Sequence, residues 1–467
     1  MTRKASGKPF LMLFFCADLI PIFEFKLRKL LTRKHMNKFA ILLILTVLFS
    51  CRSRNEGFYM PAEWESHDAV WFGWEQNETF FYPVVSEMIK ALTPHVLVKI
   101  AVRSDSLMIV AKKYLAGQGV DTARVRFYLV PGDRYWIRDH GASFLLNGKG
   151  KLGAAQFGWN LYGYPEFLKE KFGNNKDSIN KYMALAIDPK TKSVDSVMAA
   201  LTGAAILKTE VCHEGGATEV NGKGTLILCE ATVFQRNPGW ARADLEKEFK
   251  RVLGVSKIIW MKKGLADDPQ WLLRRIAGNY IGGGTGGHTD EFVRFAGPNT
   301  VLLAWVDEKD KDLNPVNRMN YERLYENLKI LEQSTDQDGK PFTVIKVPLP
   351  DIIPLKVVAK TKFNMPGAFP PTEVPMGAFI PSEMPQEGDT LLWLPAATYL
   401  NYLVTNGVVL LPTYAGIGAS KEAEEAVMKI FREQFPNREI LLFDVLGQNF
   451  SGGGIHCSTQ QQPSVKN

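Results

Sequence analysis

From Met60 onward, short apolar runs alternate with amphipathic stretches. Runs rich in β-branched and aromatic residues recur at 69–73, 96–102, 125–130, 225–229, 300–305, 342–347, 404–412 and 439–443 and predict strands. Between several of them, 82–92, 242–253, 320–333 and 421–435 carry apolar positions three or four apart, the spacing of one helix face. Strands that alternate with helices predict an α/β fold. Asn221-Gly222-Lys223-Gly224 predicts a hairpin turn between two strand-like arms. Two stretches break the rhythm. Residues 363–388, rich in Pro, Gly and Met, predict an ordered loop over a site entrance, and 165–200 reads as a polar, mixed insertion. No fixed-period repeat is visible, so any internal symmetry is structural only.

The first fifty residues follow another pattern. Met36-Asn37-Lys38 opens a basic start, followed by the apolar run 39–49 and then Ser50-Cys51. The run falls short of the roughly 20 residues a bilayer span needs and suits a signal-peptide core. Leu48-Phe49-Ser50-Cys51 resembles a bacterial lipobox, with Phe49 where a smaller residue is commoner. The expectation is cleavage before Cys51 and lipidation of its sulfur, giving an exported protein anchored to the periplasmic or surface face of a bacterial membrane. An uncleaved anchor or a buried N-terminal helix is the alternative. Residues 1–35 then read as an over-called upstream start or extra leader, 36–51 as the signal peptide, 52–59 as a tether and 60–463 as one body.

Charge changes the picture only by its location. Residues 1–50 hold nine Lys/Arg against Asp18 and Glu24, which accounts for the whole formal excess of +7. The body is neutral overall, so no nucleic-acid partner is expected. Cys16 and Cys51 belong to the leader, leaving Cys212, Cys229 and Cys457. An odd count in an exported body flags one free thiol. Cys212 and Cys229 read as core thiols, with a disulfide as the alternative.

Four segments carry candidate chemistry. Gly452-Gly453-Gly454-Ile455-His456-Cys457 brings bare backbone to a site and presents a potential nucleophile, Cys457. Gly287-His288-Thr289-Asp290 places an imidazole and a carboxylate two residues apart, on one side of an extended segment. Trp136-Ile137-Arg138-Asp139 follows a predicted strand, where catalytic side chains tend to sit, although Arg138–Asp139 also reads as a surface ion pair. Glu214-Gly215-Gly216 reads as an orienter for an imidazole or as a strand cap. A metal reading needs three convergent ligands, and His288 with Asp290 supplies two; no HExxH or CxxC pattern exists. Together, one thiol, one imidazole and three carboxylates suit an electrophile that is itself cationic. A guanidinium fits, being planar and positive with forked N–H donors.

These motifs resemble the agmatine deiminase branch of the guanidino-modifying (pentein) superfamily, which also includes bacterial peptidyl-arginine deiminases. The resemblance runs from Met60-Pro61-Ala62-Glu63-Trp64-Glu65 through Trp136-x-Arg138-Asp139-x-Gly141, Glu214-Gly215-Gly216, Gly287-His288-x-Asp290 and Ala396-Ala397-Thr398-Tyr399-Leu400-Asn401-Tyr402 to Gln462-Pro463. It implies a five-bladed α/β propeller of pseudo-fivefold ββαβ units with the site at its centre. It further implies that 60–463 is a deiminase catalytic domain. Asp139 and Asp290 then bind the guanidinium, Cys457 attacks its carbon, His288 transfers protons and Glu214 holds His288. Trp136 and Asn160 join the substrate-binding set. His456 is not expected to be the base, because neighbours on an extended strand face opposite ways. Neither metal nor organic cofactor is implied, and a homodimer is left open.

The chain departs from the pattern in three places. Ala142 stands where Pro is common, Trp159-Asn160-Leu161-Tyr162-Gly163 replaces Phe-Asn-x-Trp-Gly, and residues 269–286 intervene before Gly287-His288. These changes surround the substrate's tail and spare the reacting groups. Agmatine is the expected substrate, converted to N-carbamoylputrescine and ammonia. Peptidyl-arginine is the alternative, although no Arg lies near Asn160 before Arg236. A non-catalytic guanidine- or polyamine-binding lipoprotein is the alternative of another class, but a binder needs only the carboxylates.

Overall fold

The computed structural model describes residues 57–465, apart from 76–78, 133–134, 174, 187 and 363–370. The expected signal peptide, the expected lipidation site Cys51 and most of the expected tether lie outside the described residues. Phe58–Tyr59, read as the tether's end, pairs antiparallel with Ser143–Asn147 and so belongs to the body.

Five sheets repeat one arrangement among the described residues: an antiparallel strand pair, then a helical crossover to a parallel third strand. Thr459–Pro463, His67–Gly73 and Leu97–Val102 form one such set, extended by Val125–Leu129. Ser143–Asn147, Leu152–Gly158 and Ala205–Cys212 form the second. Glu219–Val220, Thr225–Cys229 and Lys257–Met261 form the third. Val293–Gly297, Thr300–Trp305 and Thr343–Pro348 form the fourth. Leu403–Thr405, Val408–Thr413 and Glu439–Asp444 form the fifth. The central strands are almost wholly buried because helices cover the sheets, which is why they read as continuous apolar runs.

The crossover helices follow the sequence spacing. Tyr82–Leu92 opens with Pro83 in its first turn and buries Val85, Met88, Ile89 and Leu92, a stripe spaced three, one and three apart. Each such side chain contributes roughly 1.5–3 kcal/mol when fully buried, and a charge at Ile89 would break the stripe. Arg242–Leu253 forms with its expected bounds.

Three expectations need correction. The run 404–412 is two strands joined at Asn406-Gly407, where Gly407 has φ of 71°, and Asn-Gly is itself a hairpin signal. The stretch 165–200 is largely helical, with Tyr164–Phe172, Lys176–Ala186 and Val194–Thr202 as its helices. The predicted loop 363–388 is in part a strand, because Glu373–Pro375 pairs with Leu355–Lys360. That pair belongs to a sixth, five-stranded sheet with Trp271–Ala277, Tyr280–Gly284 and Thr390–Trp393. Residues 269–286, which depart from the family pattern, therefore build a hairpin in an added sheet. Cys212 and Cys229 are free thiols in different sheets, so no disulfide joins them.

Candidate active site

Each of the five repeated sheets sends one side chain inward from the residues just before its first antiparallel strand. Cys457 precedes Thr459–Pro463, Asp139 precedes Ser143–Asn147, Glu214 precedes Glu219–Val220, Asp290 precedes Val293–Gly297, and Asn401 precedes Leu403–Thr405. Local backbone differs from the extended form expected at 288–290 and 456–457 and from the loop expected at Asp139. Asp139 lies in the one-turn helix Ile137–His140, while His288 caps the one-turn helix Thr289–Phe292 that holds Asp290. Residues 455–458 form a turn.

Gly216 marks where the groups converge. A β-carbon there would lie 2.6 Å from His288 Nδ1 and 2.9 Å from both Asp139 Oδ1 and Asp290 Oδ2. The thiol lies beside them: Cys457 Sγ is 3.5 Å from Asp290 Oδ2 and receives Asn401 Nδ2–H at 3.1 Å. Gly453 is equally confined, since a β-carbon would meet the Trp136 ring at 2.7 Å and Cys457 Cβ at 3.1 Å. The glycine run is therefore required by close approach.

Glu214 stands 3.3 Å from His288 Nε2 and pairs with Arg236 Nε at 2.9 Å, all of them buried. Asp139 Oδ1 accepts from the Gly216 backbone N–H at 3.1 Å and Oδ2 accepts from the Tyr162 hydroxyl at 2.8 Å. His288 Nδ1 is 3.7 Å from Asp139 Oδ1 and has no hydrogen-bond partner. Upstream, the Asp268 carboxylate accepts from the Thr285 and Gly287 backbone N–H groups at 2.5 and 2.8 Å, tying down the glycine loop that delivers His288.

Electrostatics follow from burial and this crowd of carboxylates. Burial disfavours the His288 imidazolium, yet Asp139, Glu214 and Asp290 outweigh it and raise its pKa to about 9. Burial pushes Glu214 up, but Arg236 and His288 hold it down at about 2. Burial, Asp290 and Glu214 raise Asp139 to about 6 against the pull of His288. Burial and the charges of Asp290, Glu291 and Asp139 push the Cys457 thiol well above its usual range. The imidazole is thus cationic at neutral pH, and the thiol waits for positive charge.

A cavity of about 450 Å³ opens from Cys457 and Asp139, walled by Trp136, Trp159, Leu161, Tyr162 and Trp271, with Glu75 and Arg103 also on its lining. Cys457, His288, Asp139, Asp290 and Glu214 are brought together, and Trp136 lines the cavity. Asn160 is not among the lining residues. Its Oδ1 accepts from the Gly163 N–H at 2.9 Å and its Nδ2 donates to Arg236 O at 2.9 Å, bracing a turn in which Leu161, Tyr162 and Gly163 all have positive φ. Arg138 is no surface residue either. It is 3% exposed, pairs with Glu63 at 3.2 Å and bonds Gln461.

Sequence reasoning missed several participants. Glu291 sits with Oε1 3.8 Å from Cys457 Sγ and 2.9 Å from Asn401 Nδ2, and its only signal was adjacency to Asp290. Asn401 lay inside a quoted motif without a role. Glu63 and Tyr162 likewise stood in quoted segments without a role, while Arg236 and Asp268 carried no local signal of site membership.

A thiol, a cationic imidazole and converging carboxylates at the focus of five α/β sheets define a class, the hydrolases of guanidino C–N bonds. Within it, the chain belongs to the Porphyromonas-type peptidyl-arginine deiminase family, whose model matches residues 59–463. The agmatine deiminase of Pseudomonas aeruginosa is 28% identical over 430 residues, covering 88% of this chain and 97% of the relative. That of Stutzerimonas stutzeri is 27% identical over 421 residues, with the same coverage. The solved agmatine deiminase of Enterococcus faecalis superposes with a TM-score of 0.66 at 21% identity, over 88% of this chain and 97% of that one, which shows a shared fold.

Proposed function

We propose that this chain is an agmatine deiminase, hydrolysing agmatine to N-carbamoylputrescine and ammonia through a covalent intermediate on Cys457. The observation that carries the reading is the convergence of His288, Asp139 and Asp290 around Gly216, with Cys457 Sγ 3.5 Å from Asp290. Asp139 and Asp290 take the guanidinium N–H groups. The arriving cation offsets the carboxylates that raise the thiol, so the thiolate forms against its own electrophile and its proton leaves to solvent through the cavity. Thiolate attack on the guanidinium carbon gives a tetrahedral adduct. His288, protonated at neutral pH, gives a proton to the departing ammonia, leaving an amidino-thioether. The neutral imidazole then takes a proton from water as it attacks, and collapse frees the ureido product and the thiolate, the adduct's hydroxyl proton passing to solvent, where the released ammonia takes it up. Glu214 and Arg236 fix the ring, and no step calls for a metal or organic cofactor.

Peptidyl-arginine, or arginine itself, is the second reading, and Arg103 favours it. This side chain reaches the cavity from the end of Leu97–Val102, held by Glu75 at 2.7 Å. A guanidinium there suits a substrate carboxylate, which arginine carries and agmatine lacks. Incubation with agmatine, free arginine and arginyl peptides, scored for ammonia and ureido product, decides between them. Turnover of agmatine above the others supports the first reading, and ammonia from none of them defeats both.

The five repeated sheets are read as the blades of a five-bladed propeller, with the sixth sheet as an addition. For residues 1–51 the proposal is a leader that ends in lipidation of Cys51 and anchors the enzyme to a bacterial membrane. Membrane fractionation of Cys51→Ser tests it, since a variant still bound to membranes would remove the anchor.

A further inference from the structure

Asp290, Glu291 and Cys457 each offer one ligand atom, and these atoms lie within 4.8 Å of one another. All three side chains are 1% exposed or less. The separations match tetrahedral coordination. With Zn–S of about 2.3 Å, Zn–O of about 2.1 Å and a tetrahedral angle, the S···O edge is about 3.6 Å. Cys457 Sγ lies 3.5 Å from Asp290 Oδ2 and 3.8 Å from Glu291 Oε1.

A second observation is independent of those distances. Asp290 Oδ1 and Glu291 Oε2 are buried and have no hydrogen-bond partner. Each carboxylate thus keeps an unclaimed acceptor, and both are held from outside. His456 Nδ1 stands 2.7 Å from Asp290 Oδ2, and Asn401 Nδ2 donates to Glu291 Oε1 at 2.9 Å. Outer partners of this kind orient metal-binding carboxylates. The cavity that reaches Cys457 supplies access and room for a water as fourth ligand.

We propose that Cys457, Asp290 and Glu291 form an inhibitory site for a borderline-soft divalent cation, with Zn²⁺ as the type, bound where the guanidinium would sit. Hard cations are excluded by the donor set, because Mg²⁺ and Ca²⁺ demand six or more oxygens. The cation replaces the thiol proton and the proton that burial and Asp290 favour on Glu291, both leaving to solvent through the cavity, so affinity rises with pH. Bound metal occupies the sulfur lone pair that would attack carbon, and one carboxylate set serves both ligands. Cation and guanidine therefore compete. Glu291, outside the proposed deimination steps, has its role here.

The site is tested on the whole body, stripped with a chelator and titrated with Zn²⁺ alone by calorimetry, so the outcome does not depend on which guanidine is turned over. One equivalent is expected to bind, and agmatine is expected to compete with it. Cys457→Ser and Glu291→Gln, each checked for a native circular dichroism spectrum, should weaken binding by at least the roughly 10–100-fold that loss of even an outer partner causes. Co²⁺ should give a thiolate-to-metal charge-transfer band in the wild type that is absent in Cys457→Ser. If Zn²⁺ binds Cys457→Ser as tightly as the wild type, or Co²⁺ gives no thiolate band, the cation sits elsewhere and the proposal fails. Glu291→Gln keeps the test open should Cys457→Ser misfold, because unchanged Zn²⁺ affinity there also removes the site.

Discussion

His456 bridges Asp290 and Glu63, with Nδ1 2.7 Å from Asp290 Oδ2 and Nε2 2.7 Å from Glu63 Oε1. Both ring nitrogens face carboxylates, although burial and the neighbouring Arg138 and Arg294 guanidiniums lower the imidazole below its ordinary value. Arg138 and Arg294 complete the group at 3.2 and 2.5 Å from Glu63. Asp290 is thereby fixed by residues from opposite ends of the body, and the oxygen that His456 holds, Oδ2, is the one 3.5 Å from Cys457 Sγ.

Replacing His456 by Leu removes the bridge, leaving the buried Asp290 carboxylate short of a donor while Glu63 keeps Arg138 and Arg294. Leaving a buried charged group short of a hydrogen bond costs about 1–3 kcal/mol or more, measurable by urea unfolding at pH 7. Burial pushes Asp290 up, but His456 outweighs it and the carboxyl is lowered. A depressed carboxylate adds stability above its unfolded pKa and loses it as pH falls through the folded value. The gap between wild type and His456→Leu should therefore narrow on acidification. A loss under about 1 kcal/mol at pH 7 would show that the bridge holds nothing.

The pH profile of kcat/KM should have two limbs. Activity is expected to fall below about 6 as Asp139 takes a proton, and above about 9 as His288 gives its own up. Tyr162→Phe deletes the hydroxyl that favours the Asp139 carboxylate and should move the acid limb upward while sparing the basic one. The His288 value also enters stability: raised from 6.5, it adds stability that is whole below 6.5 and lost as pH climbs through about 9. A profile with no fall near pH 9 would remove His288 as the acid.

In the ligand-free protein Cys457 should alkylate slowly at neutral pH, because burial and three carboxylates hold its thiol well above 9.0. Iodoacetamide labelling, read as wild type minus Cys457→Ala, separates it from the half-buried Cys212, itself raised to about 11. Rapid difference labelling at pH 7 would mean a thiolate already present and a carboxylate field too weak to matter.

The reacting groups were legible because each sits in a motif dense with glycine beside a chemically unusual side chain. Cys457, His288, Asp139, Asp290 and Glu214 all met at one point, although the reasons differed. Extended backbone was assumed for 288–290 and 456–457, where one-turn helix and turn are found. Both ring nitrogens of His456 are engaged by carboxylates, Asp290 and Glu63, and no strand alternation sets its direction. Asn160 stands outside the cavity lining, where Asn before three left-handed residues is needed as a turn brace. Glu63 and Arg236 could not be read, since their partners lie 393 and 22 residues away. The sixth sheet escaped for a related reason. Tyr280–Gly284 finds its parallel partner in Thr390–Trp393, and no local pattern announces so distant a pairing.

Gly216 is the sharpest test of the site's geometry. It contributes no side chain, yet its β-position is claimed by His288 Nδ1 at 2.6 Å and by Asp139 Oδ1 and Asp290 Oδ2 at 2.9 Å. Its backbone N–H also holds Asp139 Oδ1. Gly216→Ala therefore forces a methyl group among three polar atoms in a packed interior, where overpacking costs about 1–3 kcal/mol. A body whose central strands are this well buried should survive that loss and stay folded by circular dichroism. Deimination should fall by about 100-fold or more, because small displacements of positioned groups cost that much. Full activity in a folded Gly216→Ala would mean that His288, Asp139 and Asp290 do not converge as described, and the deiminase mechanism would lose its geometric basis.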